Sequence, residues 1–285
     1  MNLYRNVTTI STGTETSDGA GVRLRRYIPT PSLDMLDPFL LFDMFSSDNP
    51  DDYIGGFPPH PHRGFETFTY LLHGRMRHKD SAGHEGVIQS GGVQWMTAGS
   101  GIEHSEMPEQ DNGLLQGFQL WVNLPAKHKM MAPRYQELEP DQIPVEQHNG
   151  ISIRVIAGET ARGTIGPVKN IDAQPMVFDV TMAANRFFEQ SIPEHHAAFI
   201  FMVEGDLEIL GDASTKHITQ NNLAVLSAGT QLKATASATA RFLLIAGKSF
   251  NEPVARHGPF VMNTREEIEQ AFVDYRNGTF GSIGP

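Results

Sequence analysis

The chain has 285 residues, 39% of them hydrophobic and none of them cysteine, and it carries a formal charge of −11 at neutral pH. That length accommodates two cores at roughly 100–200 residues per domain, while the acidic balance, with no run of Lys and Arg, argues against direct binding to a nucleic-acid backbone. Without cysteine there are no disulfides, thiolate metal sites or thiol nucleophiles, so any metal must be held by imidazole and oxygen. No apolar stretch approaches the roughly 18–20 residues of a bilayer span, and the opening MNLYRNVTTI lacks the charged-then-apolar order of a secretory signal; the expectation is a cytoplasmic protein that enters no membrane. The 12 histidines are therefore the informative residues.

In chain order the strand signals are FETFTYLL (65–72), LQGFQLWVNL (115–124), ISIRVIAG (151–158), FIFMVEG (199–205) and RFLLIAG (241–247). Each is rich in β-branched and aromatic residues and is bounded by Gly, Pro, Asn or Asp, as antiparallel strands of a sandwich or barrel are. The expected class is mainly β. Helical periodicity is confined to the C-terminal region, where Thr264 and Glu267 can form a capping box and Ile268, Ala271, Phe272 and Tyr275 recur at i, i+3, i+4 and i+7. This predicts one amphipathic helix ending before Gly278. Pro125, Pro133, Pro140 and Pro144 interrupt a polar stretch that reads as an inter-domain crossing, which divides the chain into residues 1–138 and 139–285.

The two halves repeat. LLHGRMRH (71–78) resembles MVEGDLEI (202–209), and WMTAGSGIEHSE (95–106) resembles VLSAGTQLKATA (225–236), an offset of about 130 residues that implies two copies of one β-domain. The chemical constellation lies in the first copy only, in HPHRGFE (60–66) and GIEHSE (101–106). Side chains alternate faces along a strand, so His60 and His62 point one way together, and His104 and Glu106 do the same. Two such pairs from neighbouring strands can close on one divalent transition metal, with Fe, Mn, Co, Ni and Zn all suited to these donors, and leave coordination positions open. In the second copy the aligned residues are Ser191, Pro193, Ala234 and Ala236, which hold no metal. The adjacent His195 and His196 should face opposite ways and chelate nothing. By the same parity Phe65 should face away from the metal and Phe68 towards it, and Phe57, Trp95, Met96 and Met107 are further candidates for an apolar mouth.

The segments DPFLLFDMF (37–45), GGFPPHPHRGFETFTYLLHG (55–74), GVQWMTAGSGIEHSEMP (92–108), GFQLWVNLP (117–125) and HGPFVMNTREEI (257–268) resemble the pirin family. That resemblance implies a bicupin: two β-barrel or jelly-roll domains, the N-terminal one binding metal, the C-terminal one without ligands and including the terminal helix. It implies Fe(II) as the most suitable metal, with His60, His62, His104 and Glu106 as its ligands. The general cupin pattern would choose Glu66 in place of Glu106; similarity to pirins leaves Glu66 outside the ligand set, orienting a histidine or a bound water. The implied activity is that of a quercetinase, cleavage of a flavonol by dioxygen with release of carbon monoxide, and Glu106 is the candidate base for the flavonol hydroxyl. Because pirins are also described as co-regulators, a metal-dependent regulatory protein with a protein partner is the alternative.

Overall fold

A computed structural model describes residues 3–281. The first half of the chain runs through β1 (Val7–Ser11), β2 (Thr14–Asp18), β3 (Val22–Ile28), β4 (Phe39–Ser47), β5 (Phe57–His62), β6 (Phe65–His73), β7 (Arg75–Asp80), β8 (Glu85–Gln89), β9 (Val93–Thr97), β10 (Ile102–Pro108), β11 (Leu115–Asn123) and β12 (Arg134–Leu138). The second half continues with β13 (Val145–His148), β14 (Ile151–Ala157), β15 (Met176–Met182), β16 (Phe187–Ser191), β17 (His196–Glu204), β18 (Leu207–Leu210), β19 (Thr215–Ile218), β20 (Leu223–Leu226), β21 (Gln231–Thr235) and β22 (Ala240–Lys248). A short hairpin, β23 (Ala255–His257) and β24 (Phe260–Met262), then leads into α1 (Arg265–Arg276). All five segments expected as strands are strands. The helix also forms, with the Thr264 hydroxyl accepting from the Glu267 amide at 3.2 Å and the Glu267 carboxylate accepting from the Thr264 amide at 2.9 Å. No helix among the described residues is long and apolar enough to cross a membrane.

The strands form two compact units with matching sheets. One unit pairs a seven-stranded sheet, β12-β9-β6-β11-β4-β3-β2, with a four-stranded sheet, β5-β10-β7-β8; the other pairs β1-β20-β17-β22-β15-β14-β13 with β16-β21-β18-β19. We call the first the ligand barrel and the second the sister barrel. The units differ from a single cut after residue 138. The ligand barrel consists of Thr14–Pro29, Phe39–Pro140 and the segment from Phe250 onward, while the N-terminal segment to Gly13, Thr30–Pro38 and Asp141–Ser249 make up the sister barrel. Backbone pairing is the reason: β1 completes the edge of the sister sheet against β20, and the C-terminal segment pairs with the ligand barrel through the Arg63–Phe260 bridge. The helix expected in the C-terminal domain thus belongs with the metal-ligand candidates.

The interiors diverge. In the sister barrel Phe188, Ile192, Leu232, Ala234 and Ala236 are buried in one continuous apolar core. Ser191 and Pro193, matched by sequence repeat to His60 and His62, are exposed, and the buried positions around them are Phe188, Gln190 and Ile192. In the ligand barrel a smaller apolar cluster that includes Leu24, Phe45, Leu71, Met76 and Leu115 occupies part of the interior.

One buried cation ties the ligand barrel together. Lys129 is only 1% exposed, and its ammonium donates to the Gly64 carbonyl at 2.8 Å, the Asn123 side-chain oxygen at 2.8 Å and the Val261 carbonyl at 3.0 Å. Burial pushes its pKa down to about 8, yet all three donors are used. Gly64, with φ +85, admits no side chain, because a Cβ there would stand 1.9 Å from the Val261 carbonyl. Replacing Lys129 by Met keeps the stem and orphans three buried oxygens, each worth about 1–3 kcal/mol. We expect Lys129→Met to lower unfolding stability by about 3 kcal/mol or more, measured by denaturant titration; a change under about 0.5 kcal/mol would contradict this account.

Candidate metal centre

The ligand strands are set side by side at a sheet edge. β5 reads Phe-Pro-Pro-His-Pro-His, and proline, which has no amide hydrogen, is tolerated in sheets on edge strands and at bulges. β5 is that edge, paired only to β10 within its sheet, and the register slips between His104 and Glu106 on β10, opposite Pro58 and Pro59. This pairing sets His60 directly across from His104 and His62 across from Ile102. Ring centroids of His60, His62 and His104 lie 4.5–5.0 Å apart, and one nitrogen from each ring falls within 4.8 Å of the others.

The hydrogen bonding prepares these nitrogens as lone-pair donors. A carbonyl only accepts, so His60 Nδ1, 2.8 Å from the Pro58 carbonyl, carries the proton of the neutral ring and leaves Nε2 unprotonated. His60 Nε2 stands 3.0 Å from His62 Nε2. Two imidazole nitrogens at right angles on one ion, each about 2.1 Å from it, would be separated by about 3.0 Å. Both ring nitrogens of His104, a residue 2% exposed, lack a hydrogen-bond partner among the described residues, a costly state that a cation would relieve. Burial, then the nearby histidines, hold His62 and His104 well below the ordinary imidazole pKa. Neutral imidazole is the ligand form. The cluster therefore fits a divalent transition metal.

The two glutamates separate. Glu106 is buried and lines the cavity, but its carboxylate is not among the ligand atoms that gather within 4.8 Å; Gln119 Nε2 donates to its Oε2 at 3.3 Å, and the Thr69 hydroxyl lies 3.1 Å from its Oε1 and 2.6 Å from Gln119 Oε1. Burial pushes Glu106 above the usual carboxylate range; a bound cation would act in the opposite sense. Glu66 accepts from the Thr97 hydroxyl at 2.6 Å, and by alternation along β6 it shares the face of Phe68, opposite Phe65 and Thr69. Gln119 and Thr69 belong to a row that crosses five strands in register, Arg26, Asp43, Gln119, Thr69 and Gln94.

A cavity of about 600 Å³ opens against this centre, walled by His60, His62 and Glu106 on one side and by Phe57, Trp121 and Arg26 among others. Phe57 is where the sequence suggested. Phe65 and Phe68 are reversed: Phe65 packs on His62 and Trp121, at 5.0 and 4.4 Å between ring centroids, whereas Phe68 packs against Trp95 on the far face. The Arg63–Gly64 corner between β5 and β6 breaks the alternation that parity counting assumed. Trp121, Gln119 and Thr69 were not singled out; their alternation within GFQLWVNLP and FETFTYLL was the available signal. His195 is exposed and His196 buried, so that pair does diverge.

Comparison with known proteins agrees with the geometry. The pirin family profile matches residues 21–122 and the pirin C-terminal cupin domain matches residues 177–281. The chain belongs to the pirin family. A pirin-like protein of Caulobacter vibrioides is 50% identical over 277 residues, covering 97% of this chain and 99% of that one. A Pseudomonas aeruginosa protein provisionally named quercetin 2,3-dioxygenase is 49% identical over 282 residues, covering 98% and 99%. The crystal structure of a quercetin 2,3-dioxygenase from Acinetobacter baumannii superposes with a TM-score of 0.88 at 33% identity, covering 99% of this chain and all of that one.

For this pirin the buried imidazoles predict a pH dependence in the metal-free state. In the unfolded chain His62 and His104 take up protons around pH 6.5, while folding keeps both neutral. Glu106, raised by burial, takes up its proton at higher pH in the folded state than in the unfolded chain and so opposes part of this effect. Two imidazoles against one carboxylate leave the net uptake with the unfolded state, so stability falls as pH drops below about 6.5. Denaturation of chelator-treated protein between pH 7.5 and 5.0 measures the slope, and a flat or inverted profile would contradict it.

Proposed function

We propose that this pirin is a metal-dependent oxygenase that opens the heterocyclic ring of a flavonol such as quercetin with dioxygen, both oxygen atoms entering the product and one ring carbon leaving as carbon monoxide. One divalent metal, Fe(II) in this reading, is held by His60, His62, His104 and Glu106; Mn, Co, Ni or Zn would suit the same donors. The observation that carries the proposal is the meeting of a triple-imidazole cluster and a buried carboxylate with an aromatic-walled cavity of about 600 Å³, within the size range of small-molecule sites. The activity named for the Pseudomonas relative and the Acinetobacter structure supports the same reading.

When bound, the metal supplies a cationic, redox-capable centre at the cavity wall. The remaining work falls to side chains. Trp121 and Phe57 offer flat apolar surfaces to a planar substrate and exclude water from it. Glu106 accepts the proton of the substrate hydroxyl, and Gln119 and Thr69 keep the carboxylate aimed while it does so. Glu66, bonded to Thr97, steadies the β6–β9 pairing behind the site.

Metal analysis of purified protein should give about one ion per chain, since the sister barrel offers apolar residues at the corresponding place. Iron-loaded protein should consume quercetin in air with carbon monoxide release, and His62→Ala should cut turnover at least 100-fold through loss of a ligand. Full iron occupancy with quercetin untouched would overturn the enzymatic reading in favour of a regulatory one. The ligand assignment has its own test in two isosteric variants. Glu106→Gln should weaken metal retention on dialysis about 10–100-fold, and Glu66→Gln should leave it within about threefold of wild type; the reverse order would assign the carboxylate ligand to Glu66.

A further inference from the structure

The cavity has a second polar end that the metal centre does not use. Arg26, on β3, faces inward beside Leu24 in the cavity wall. Its Nε donates to Asp43 at 2.9 Å and its Nη2 donates to Asp43 at 2.7 Å and to Asp18 at 3.0 Å. Asp43 is 3% exposed, so the guanidinium is gripped from behind by a buried carboxylate in the two-pronged geometry that fixes its plane. Nη1 is the nitrogen left over. It has no partner among the described residues, and the Arg26 side chain keeps 23% of its surface accessible. Arg26 itself lines the cavity, so this nitrogen is the one left to meet a bound molecule. The other guanidinium in the wall, Arg256, is differently engaged: it lies 5.0 Å over the Trp121 ring and donates to the Leu40 carbonyl, which makes it part of the wall.

Register gives the distance between the two ends. Arg26 pairs with Asp43, and Asp43 pairs with Gln119, the residue that donates to Glu106. Two strand spacings put the backbone of Arg26 about 10 Å from that of Gln119, on the scale of two linked aromatic rings. Charge then narrows the group that Arg26 can read. One guanidinium faces two carboxylates, Asp43 and Asp18, so a further carboxylate from a substrate would meet an excess of negative charge. A neutral hydroxyl can accept from Nη1 and donate to the exposed Asp18.

We infer that Arg26 is a specificity-determining residue that reads a phenolic hydroxyl on the far ring of a two-ring aromatic substrate, with Asp43 positioning its guanidinium. This rests on the aromatic-substrate reading proposed above. A hydrogen bond to a charged group is worth about 1.5–3 kcal/mol, so the hydroxyl should strengthen binding about tenfold or more.

The test uses full-length, iron-loaded protein under anaerobic conditions, titrated by quenching of tryptophan fluorescence with 3-hydroxyflavone and its 4′-hydroxy and 4′-carboxy derivatives. Wild type should bind the 4′-hydroxy compound about tenfold more tightly than 3-hydroxyflavone, and the 4′-carboxy compound no more tightly. Arg26→Lys keeps the charge opposite Asp43 but lacks the third nitrogen, and should bring the hydroxyl preference to within about twofold. Asp43→Asn should do the same by loosening the guanidinium, a change in ratio that general destabilisation would not produce. Equal binding of all three compounds by wild type, or a preference that survives in Arg26→Lys, would overturn the inference and leave the flavonol reading standing. If none of the compounds binds, the flavonol reading fails and the inference falls with it.

Discussion

His60, partly exposed, and His62, buried, bring their Nε2 atoms to 3.0 Å in the cavity wall, and much of the ligand barrel is arranged around holding them there. Two imidazole lone pairs in that position cannot both be satisfied by each other. The approach persists because the backbone leaves them little else: β5 carries three prolines at a sheet edge, and the Pro58 carbonyl fixes the His60 tautomer. The C-terminal segment reinforces the same strands. Arg63, the residue after His62, donates to the Ser100 carbonyl at 2.6 Å and pairs with Asp274 of α1 at 2.7 Å. Tyr275 of the same helix donates to Glu103, the residue before His104, at 2.6 Å. The helix that the sequence places far from the ligands is thus bonded to the residue adjoining each ligand pair, which explains in physical terms why residues from Phe250 onward belong to this unit.

Within a strand, the sequence was a good guide to the site. Alternation alone put His60 with His62 and His104 with Glu106; the three histidines do come together, because pleating is a local property of extended backbone, while Glu106, past the register shift on β10, lies outside their group of ligand atoms. Across a corner the same rule failed. Gly64, at positive φ and pressed against the Val261 carbonyl, turns the chain between β5 and β6, so the count that ran from His62 to Phe65 and Phe68 crossed a point where alternation stops. The exchanged terminal segments were illegible for a related reason. A proline-rich crossing marks where the chain leaves one core, but not which sheet edge a distant strand such as β1 will complete.

The polar row shows what pairing adds to a sequence. Arg26, Asp43, Gln119, Thr69 and Gln94 come from five strands and have no common spacing, yet register places them side by side. Read singly, each is an unremarkable polar residue within an apolar strand. Read together, they account for how a barrel interior can carry charge: Asp43 is answered by Arg26, and Gln119 and Thr69 answer the buried Glu106. An unanswered carboxylate at either place would carry a large desolvation cost.

The sister barrel shows the alternative use of the same architecture. Its sheets repeat the 7-and-4 arrangement, but the two alanines aligned with His104 and Glu106 carry side chains too short to reach a common point, and Phe188 and Ile192 fill the volume from the facing strand. A closely packed, mainly apolar interior gains burial energy along most of its length. The ligand barrel forgoes part of that gain. Its apolar cluster is smaller and its interior holds buried His62, His104, Glu106 and Asp43, so its stability leans on specific ties such as Lys129 and Arg63. One copy of the fold packed as a core and one opened around polar groups is the division expected when a single site is supported by a duplicated scaffold.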